Sequence, residues 1–306
     1  MAAVLGAILA ATAAGVGAER RWGDGALRLT RRMMDALLYG LMPFVTFFVV
    51  ARLHLDTGVG AGLLYGYAAT GIAGLVGWFV GSRVLKLERP TVGVLILCGL
   101  LANTGYLGVP LVAALLGGDQ LGAAVAWDST ISGPMLFVFG FAVGAAFGTR
   151  AGETRRARVR AYFVRNPVLI ALALALVAPD SLSPGPLFGA ARLAAIAQLP
   201  IGFFVLGVNL MGEREDGTLD FPPRMTPALA TALALRLLLA PAIVLTLSAV
   251  LVRAPDAYLL QSAMACGINT LIVSHVYGLD LRLAAGAVAW STAIVALAAF
   301  VAGVVL

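Results

Sequence analysis

Charge is scarce in this chain: only 12% of its 306 residues are Asp, Glu, Lys or Arg, against 61% that are hydrophobic. A mean hydropathy of +0.97 goes with that deficit. A soluble globular domain carries about twice the charge, so that class is excluded and a polytopic membrane protein is expected. Lysine is almost missing, with Lys86 the one example among 21 basic residues. The arginines do not interleave with aromatic residues, so the net charge of +6 does not mark a nucleic-acid surface. There are two cysteines, Cys98 and Cys266, both inside apolar runs, and two histidines. Neither a disulfide framework nor a Cys/His metal spacing follows from so few, and no cofactor or metal is expected. The sequence also lacks His-Glu-x-x-His, Gly-x-Ser-x-Gly and a phosphate-binding glycine loop, which argues against a hydrolase or nucleotide-driven pump and for a non-enzyme.

Long apolar stretches are what the chain has. Ten are counted, at about 3–18, 33–52, 59–81, 91–116, 120–148, 162–178, 187–211, 226–252, 257–277 and 282–305, each of a length suited to crossing a bilayer. The first lacks a basic start and leads into further spans, so it reads as a first helix and not as a cleaved signal. Seventeen of the 21 basic residues fall in alternate connections, with Arg52 and Arg253 in the opposite ones and Arg192 and Arg236 inside spans. Because basic loops are retained in the cytoplasm, both termini are expected outside it, in a multi-pass plasma (inner) membrane protein.

The most basic connection, 149–165, separates five spans from five. An odd number per half turns the second half over relative to the first. The expected fold is therefore all-α, two inverted five-helix repeats at 1–148 and 166–306 joined by a basic linker. Cys98-Gly-Leu-Leu-Ala-Asn103-Thr104 in the fourth span has an echo in Cys266-Gly-Ile-Asn269-Thr270 in the ninth, the fourth of its half.

Residues Asn103 to Pro110, Asn-Thr-Gly-Tyr-Leu-Gly-Val-Pro, interrupt the fourth span at its middle. Gly105 and Gly108 weaken the helix there, and Pro110 removes a rung of its ladder. Backbone freed at that depth must face protein or a watery cavity, as in transporter midplane sites, although a packed proline kink is the plainer alternative. Asp128 lies about 13 Å into the fifth span, counting from Asp119, and Arg236 about 18 Å into the eighth, counting from Arg224. An ionisable group at such depth faces the interior. Asp128 is a candidate proton-coupling carboxylate, cation partner or ion-pair member; Arg236 is a candidate anion attractor, partner of Asp128 or cap of a broken helix. Asn209 and Gln198 in the seventh span add uncharged donors and acceptors that serve either a ligand or helix-to-helix bonding.

Asn103-Thr-Gly-Tyr-Leu-Gly-Val-Pro110-Leu, Leu41-Met-Pro43 with its following phenylalanines, Arg165-Asn-Pro167 and Leu206-Gly-Val-Asn-Leu210 together resemble the auxin efflux carrier family, here in a bacterial member. The resemblance implies a fold like the bile-acid-type transporters, with crossed discontinuous helices at spans four and nine. It implies alternating-access export or exchange of a small organic anion such as a carboxylate, through a protein that forms a possible homodimer. On this pattern the substrate residues are Asn103, Thr104, Gly105, Gly108 and Pro110 from span four and Gly267, Asn269 and Thr270 from span nine. Family members commonly place a proline near position 265, where this chain has Ala265. Gly267 is left to break the ninth span. Sodium-coupled symport is an alternative, and a non-transporting sensor or assembly protein on the same fold is another.

Overall fold

The structure is a computed structural model, and it describes residues 2–52, 57–149, 167–215 and 224–305. The basic linker lies almost wholly outside these residues. Among them the chain is helical, with no strand. In chain order the helices are α1 (Ala2–Trp22), α2 (24–50), α3 (Thr57–Val84), α4 (Arg89–Leu100), α5 (Thr104–Leu115), α6 (121–147), α7 (Pro167–Val177), α8 (Gly185–Glu215), α9 (Pro227–Val250), α10 (Asp256–Ser262), α11 (Asn269–Tyr277) and α12 (Leu281–Val305). Among the described residues, four stretches are long and apolar enough to cross a membrane on those grounds alone: Thr57–Val84, Gly185–Val205, Pro227–Val250 and Leu281–Ala302. Other apolar helices are shorter pieces, among them α4 and α5, which together occupy one expected span.

Helix ends follow local chemistry. Thr226 opens α9 by accepting the Leu229 N–H at 3.1 Å, with Pro227 next to it where no N–H is needed. Asp280 caps α12 through Leu283 N at 2.9 Å, and its other oxygen accepts from Thr91 Oγ1 at 2.9 Å, which ties α12 to the start of α4. Gly278 ends α11 at φ +69°, a left-handed position glycine fills without strain.

Four prolines sit two residues beyond a widened π-helical turn. The pairs are Leu37–Leu41 with Pro43, Thr104–Gly108 with Pro110, Asp128–Ser132 with Pro134, and Leu235–Leu239 with Pro241. A proline ring inside a helix meets the carbonyl four residues back and cannot donate to it. Widening the preceding turn relieves both problems and lets the helix run on. Pro110 therefore does not interrupt the fourth span, contrary to the sequence expectation. The interruption comes earlier, at Leu101–Asn103.

The interior is built around α4, on which every residue from Val92 to Leu100 is buried. On α3, by contrast, Leu64, Ile72, Leu75, Trp78 and Phe79 are exposed, an apolar face suited to lipid. Close approach elsewhere depends on glycine. A Cβ built on Gly15 of α1 would stand 3.1 Å from Gly207 Cα, and one on Gly207 of α8 would stand 3.1 Å from Val16 N. Membrane helices gain their packing from such small-residue contacts. Gly15→Val is expected to lower the thermal midpoint of the purified protein by several degrees; an unchanged midpoint would show that α1 and α8 do not need this contact.

Candidate functional site

Two helices break inside the bundle, and the breaks meet. Between α4 and α5 the chain is non-helical over 101–103, and between α10 and α11 over 263–268. Asn103 N donates to Ala265 O at 2.8 Å and Gly267 N donates to Leu101 O at 3.0 Å. These two bonds frame an antiparallel pairing of Ala102 with Cys266. Backbone released from both helices is thus satisfied by the opposite break, as the absence of water at such depth demands. Gly267 permits the approach: a Cβ there would lie 3.1 Å from Ala102 O. The ninth span breaks without its proline because Gly267 and the partner strand of backbone replace what a proline would force.

The Asn-Thr pairs open the second half-helix on each side. Asn103 precedes α5 and Thr104 begins it; Asn269 begins α11, with Thr270 next. The N-terminal ends of α5 and α11 therefore lie beside the crossover, where unsatisfied N–H groups give partial positive charge. Asn103 is 4% exposed and Asn269 half-buried, while Thr270 Oγ1 is buried without a hydrogen-bond partner among the described residues.

Thr104 carries the polar network outward. Its Oγ1 donates to Asp128 Oδ1 at 2.5 Å and contacts Ser132 Oγ at 2.7 Å. A hydroxyl has one proton, so Ser132 is the donor in the second contact. Gly105 lies under the carboxylate, where a Cβ would stand 3.1 Å from Asp128 Oδ2 and 3.2 Å from Met42 Cε. Asp128 is half-buried although Trp127 and Ser129 beside it are buried. Three of the proline-associated π turns thus bear candidate polar residues: Thr104 on α5, Asp128 and Ser132 on α6, and Arg236 on α9. Gly108 lies under the Gln261 carboxamide, with a Cβ there 3.0 Å from Met264 Cγ, and Pro110 continues α5 behind it.

Arg236 is 1% exposed and sits apart from this network. Its Nη2 donates to Ser262 O, the last carbonyl of α10, while Nε and Nη1 have no hydrogen-bond partner among the described residues. No ion pair joins Arg236 to Asp128 among the described residues, so the two are not each other's counter-ion. Asn209 and Gln198 lie on α8, but their side chains lie outside the described residues.

Gln261 is a site residue that sequence reasoning missed. It is fully buried at the end of α10, and its Nε2 donates to Thr104 O at 3.3 Å and Ala124 O at 3.1 Å. A glutamine inside an apolar stretch, five residues before Cys266-Gly267, was the available signal. A second missed signal is Ala124-Val-Ala-Trp-Asp-Ser-Thr130 in α6, which returns as Ala287-Val-Ala-Trp-Ser-Thr292 in α12. Ser291 of the second copy accepts from Cys266 N at 2.9 Å, as Asp128 of the first receives Thr104. Both copies serve the crossover.

Residues 163–302 match the family model described as "Membrane transport protein", a stretch that holds α7 to α11 and most of α12. Over 224 residues, 70% of this chain and 68% of the relative, the sequence is 25% identical to an uncharacterized transporter of Methanocaldococcus jannaschii.

Proposed function

We propose that the chain is a member of the membrane transport protein family, that of the auxin efflux carriers, and a secondary carrier moving a small organic anion by alternating access. It is a multi-pass transporter and not an enzyme. The observation that carries the proposal is the antiparallel pairing of the two helix breaks at Ala102 and Cys266. Irregular backbone at membrane depth is tolerated where it lines a binding cavity, and half-helix N-termini aimed at such a cavity suit a carboxylate. Asn103, Thr104, Asn269 and Thr270 would then contact the substrate, and the Arg236 charge would deepen the positive potential.

Ten spans in two inverted halves account for the breaks falling in the fourth and ninth apolar stretches. They also account for the Ala-Val-Ala-Trp echo in the fifth and tenth. The copies differ at one residue: the first carries Asp128 between Trp127 and Ser129, and the second passes from Trp290 directly to Ser291. A carboxyl needed only for packing has no reason to be on one side alone. We assign Asp128 to proton coupling, with its proton exchanged through the Thr104 and Ser132 hydroxyls. The same three oxygens favour a second reading, a sodium ion held between Asp128, Thr104 and Ser132.

Flux of mono- and dicarboxylates into proteoliposomes tests the proposal. Asn103→Ala and Asn269→Ala are each expected to lower it about tenfold or more, with folding retained. Wild-type rates in both variants would refute the site assignment. Flux that follows an imposed sodium gradient and ignores a proton gradient would select the sodium reading, and ligand binding without flux would select a sensor.

A further inference from the structure

Gln261 stands in the last turn of α10, fully buried, and its carboxamide reaches from the second half of the chain into the first. Nε2 carries two hydrogens and donates to two carbonyls, Thr104 O at 3.3 Å and Ala124 O at 3.1 Å. Both carbonyls sit at the head of a π-helical turn. Thr104 O opens the turn of α5 and accepts Val109 N, while Ala124 O accepts the N–H of Asp128, the residue that opens the turn of α6. One planar amide is therefore fastened to both turns at once. From those same turns Thr104 Oγ1 and Asp128 Oδ1 meet at 2.5 Å, with Ser132 Oγ 2.7 Å from the hydroxyl. Backbone placement decides side-chain placement here, because a threonine hydroxyl is two bonds from its Cα.

Gly108 shapes the other end of the amide. A Cβ on that glycine would collide with Gln261 Oε1, and Oε1 has no hydrogen-bond partner among the described residues, so Gln261 acts through its two N–H groups. The arrangement is also one-sided. In the register of the Cys98-Gly99 and Cys266-Gly267 echo, the first half has Gly93 where the second has Gln261, just as the second half passes from Trp290 to Ser291 where the first has Asp128. The half that carries the carboxyl is the half that receives the amide.

We propose that Gln261 is a positioning residue for the coupling site, holding Thr104, Asp128 and Ser132 in register across the contact of α5 with α6. The second half thereby completes a site whose polar oxygens all belong to the first. Gln261 acts through the backbone of the two turns and not by contact with the coupled ion. A proton and a sodium ion both need the hydroxyl and carboxyl oxygens converged, so the role is the same for either. Its part in coupling rests on the carrier reading above, whereas the placing of Asp128 by Gln261 does not.

Gln261→Met keeps the length of the side chain and removes its donors. Each carbonyl retains a backbone N–H, so neither is left bare and folding is expected to survive. In proteoliposomes the ratio of gradient-driven flux to substrate-for-substrate exchange is expected to fall about tenfold, as misplacement of a reacting group costs rate without removing it. Infrared difference spectra of the purified protein, acidic minus neutral, give a readout that needs no transport. The protonated-carboxyl band of Asp128, identified by its loss in Asp128→Asn, is expected to shift in Gln261→Met. It should shift also in Gly108→Ala, where the glutamine is present but pushed from its place. Gly15→Val, which loosens α1 from α8, should leave the band where it is, because the band reports hydrogen bonds to the carboxyl and not general loss of stability. An unmoved band in either variant that folds would overturn the positioning. A moved band with driven flux and exchange reduced alike would overturn the part in coupling. If the protein carries no carboxylate, the band still decides what Gln261 does to Asp128.

Discussion

Asp128→Asn is expected to abolish gradient-driven transport, lowering flux under an imposed proton gradient by about a hundredfold, while substrate-for-substrate exchange persists. The substitution is nearly isosteric. An asparagine Oδ1 still accepts from Thr104 Oγ1, so the contact now 2.5 Å long survives, and Gly105 still leaves room for a side chain of the same shape. What disappears is the only site in this network that takes up and releases a proton. Packing is preserved, so the thermal midpoint is expected to move little, which separates loss of coupling from loss of fold. Exchange needs the binding site and the conformational cycle but no net proton movement, and it therefore serves as the internal control. Equal gradient-driven flux in Asp128→Asn and wild type would remove Asp128 from the mechanism. Exchange lost along with driven flux would place the residue in substrate binding instead.

Much of this arrangement is legible in the residues, for physical reasons that differ by element. The fourth and ninth apolar stretches stand out because Asn103, Thr104, Asn269 and Thr270 bring hydrogen-bonding groups to a depth where lipid offers no partner. The position of the first break is not legible. Gly105, Gly108 and Pro110 look like helix breakers, yet a π-helical turn absorbs the proline, and the chain leaves the helix before them, at Leu101 and Ala102, two residues of ordinary apolar character. What stabilises that departure is the opposite backbone, Ala265 O and Gly267 N, and a long-range pairing has no local signature. The same holds for Gln261, whose bonds to Thr104 O and Ala124 O depend on which segments cross. For Arg236 the sequence left three roles open. The bond to Ser262 O gives it the cap of a broken helix, and Asp128, hydrogen-bonded to Thr104, is not its partner.

Gly267→Val is expected to cost more than any other single substitution at the crossover, because three failures coincide at one atom. A Cβ at 267 would stand 3.1 Å from Ala102 O and 3.2 Å from Ala102 C, and what it meets is backbone that has no rotamer to yield. A β-branched side chain adds two methyl groups to that conflict, and overpacking of this kind costs about 1–3 kcal/mol. Relief requires the breaks to part, which ruptures Gly267 N to Leu101 O at 3.0 Å and strains Asn103 N to Ala265 O at 2.8 Å. Each of those groups is enclosed by protein, and a buried group left unpaired costs about 1–3 kcal/mol. The sum, about 2–6 kcal/mol, is a large part of an ordinary protein's whole stability of about 5–15 kcal/mol. A thermal midpoint lower by about 10 °C or more is expected. Transport should be lost even in the fraction that folds, since the pairing shapes the cavity. The matched control is Gly71→Val on α3, where a Cβ meets nothing within 4 Å and the midpoint should stay near wild type. Gly267→Ala should fall between them, because a single methyl asks the neighbouring carbonyl to yield only a few tenths of an ångström. Should Gly267→Val melt and transport like Gly71→Val, the two breaks do not depend on each other, and a crossover held together by its own backbone is the wrong description of this protein.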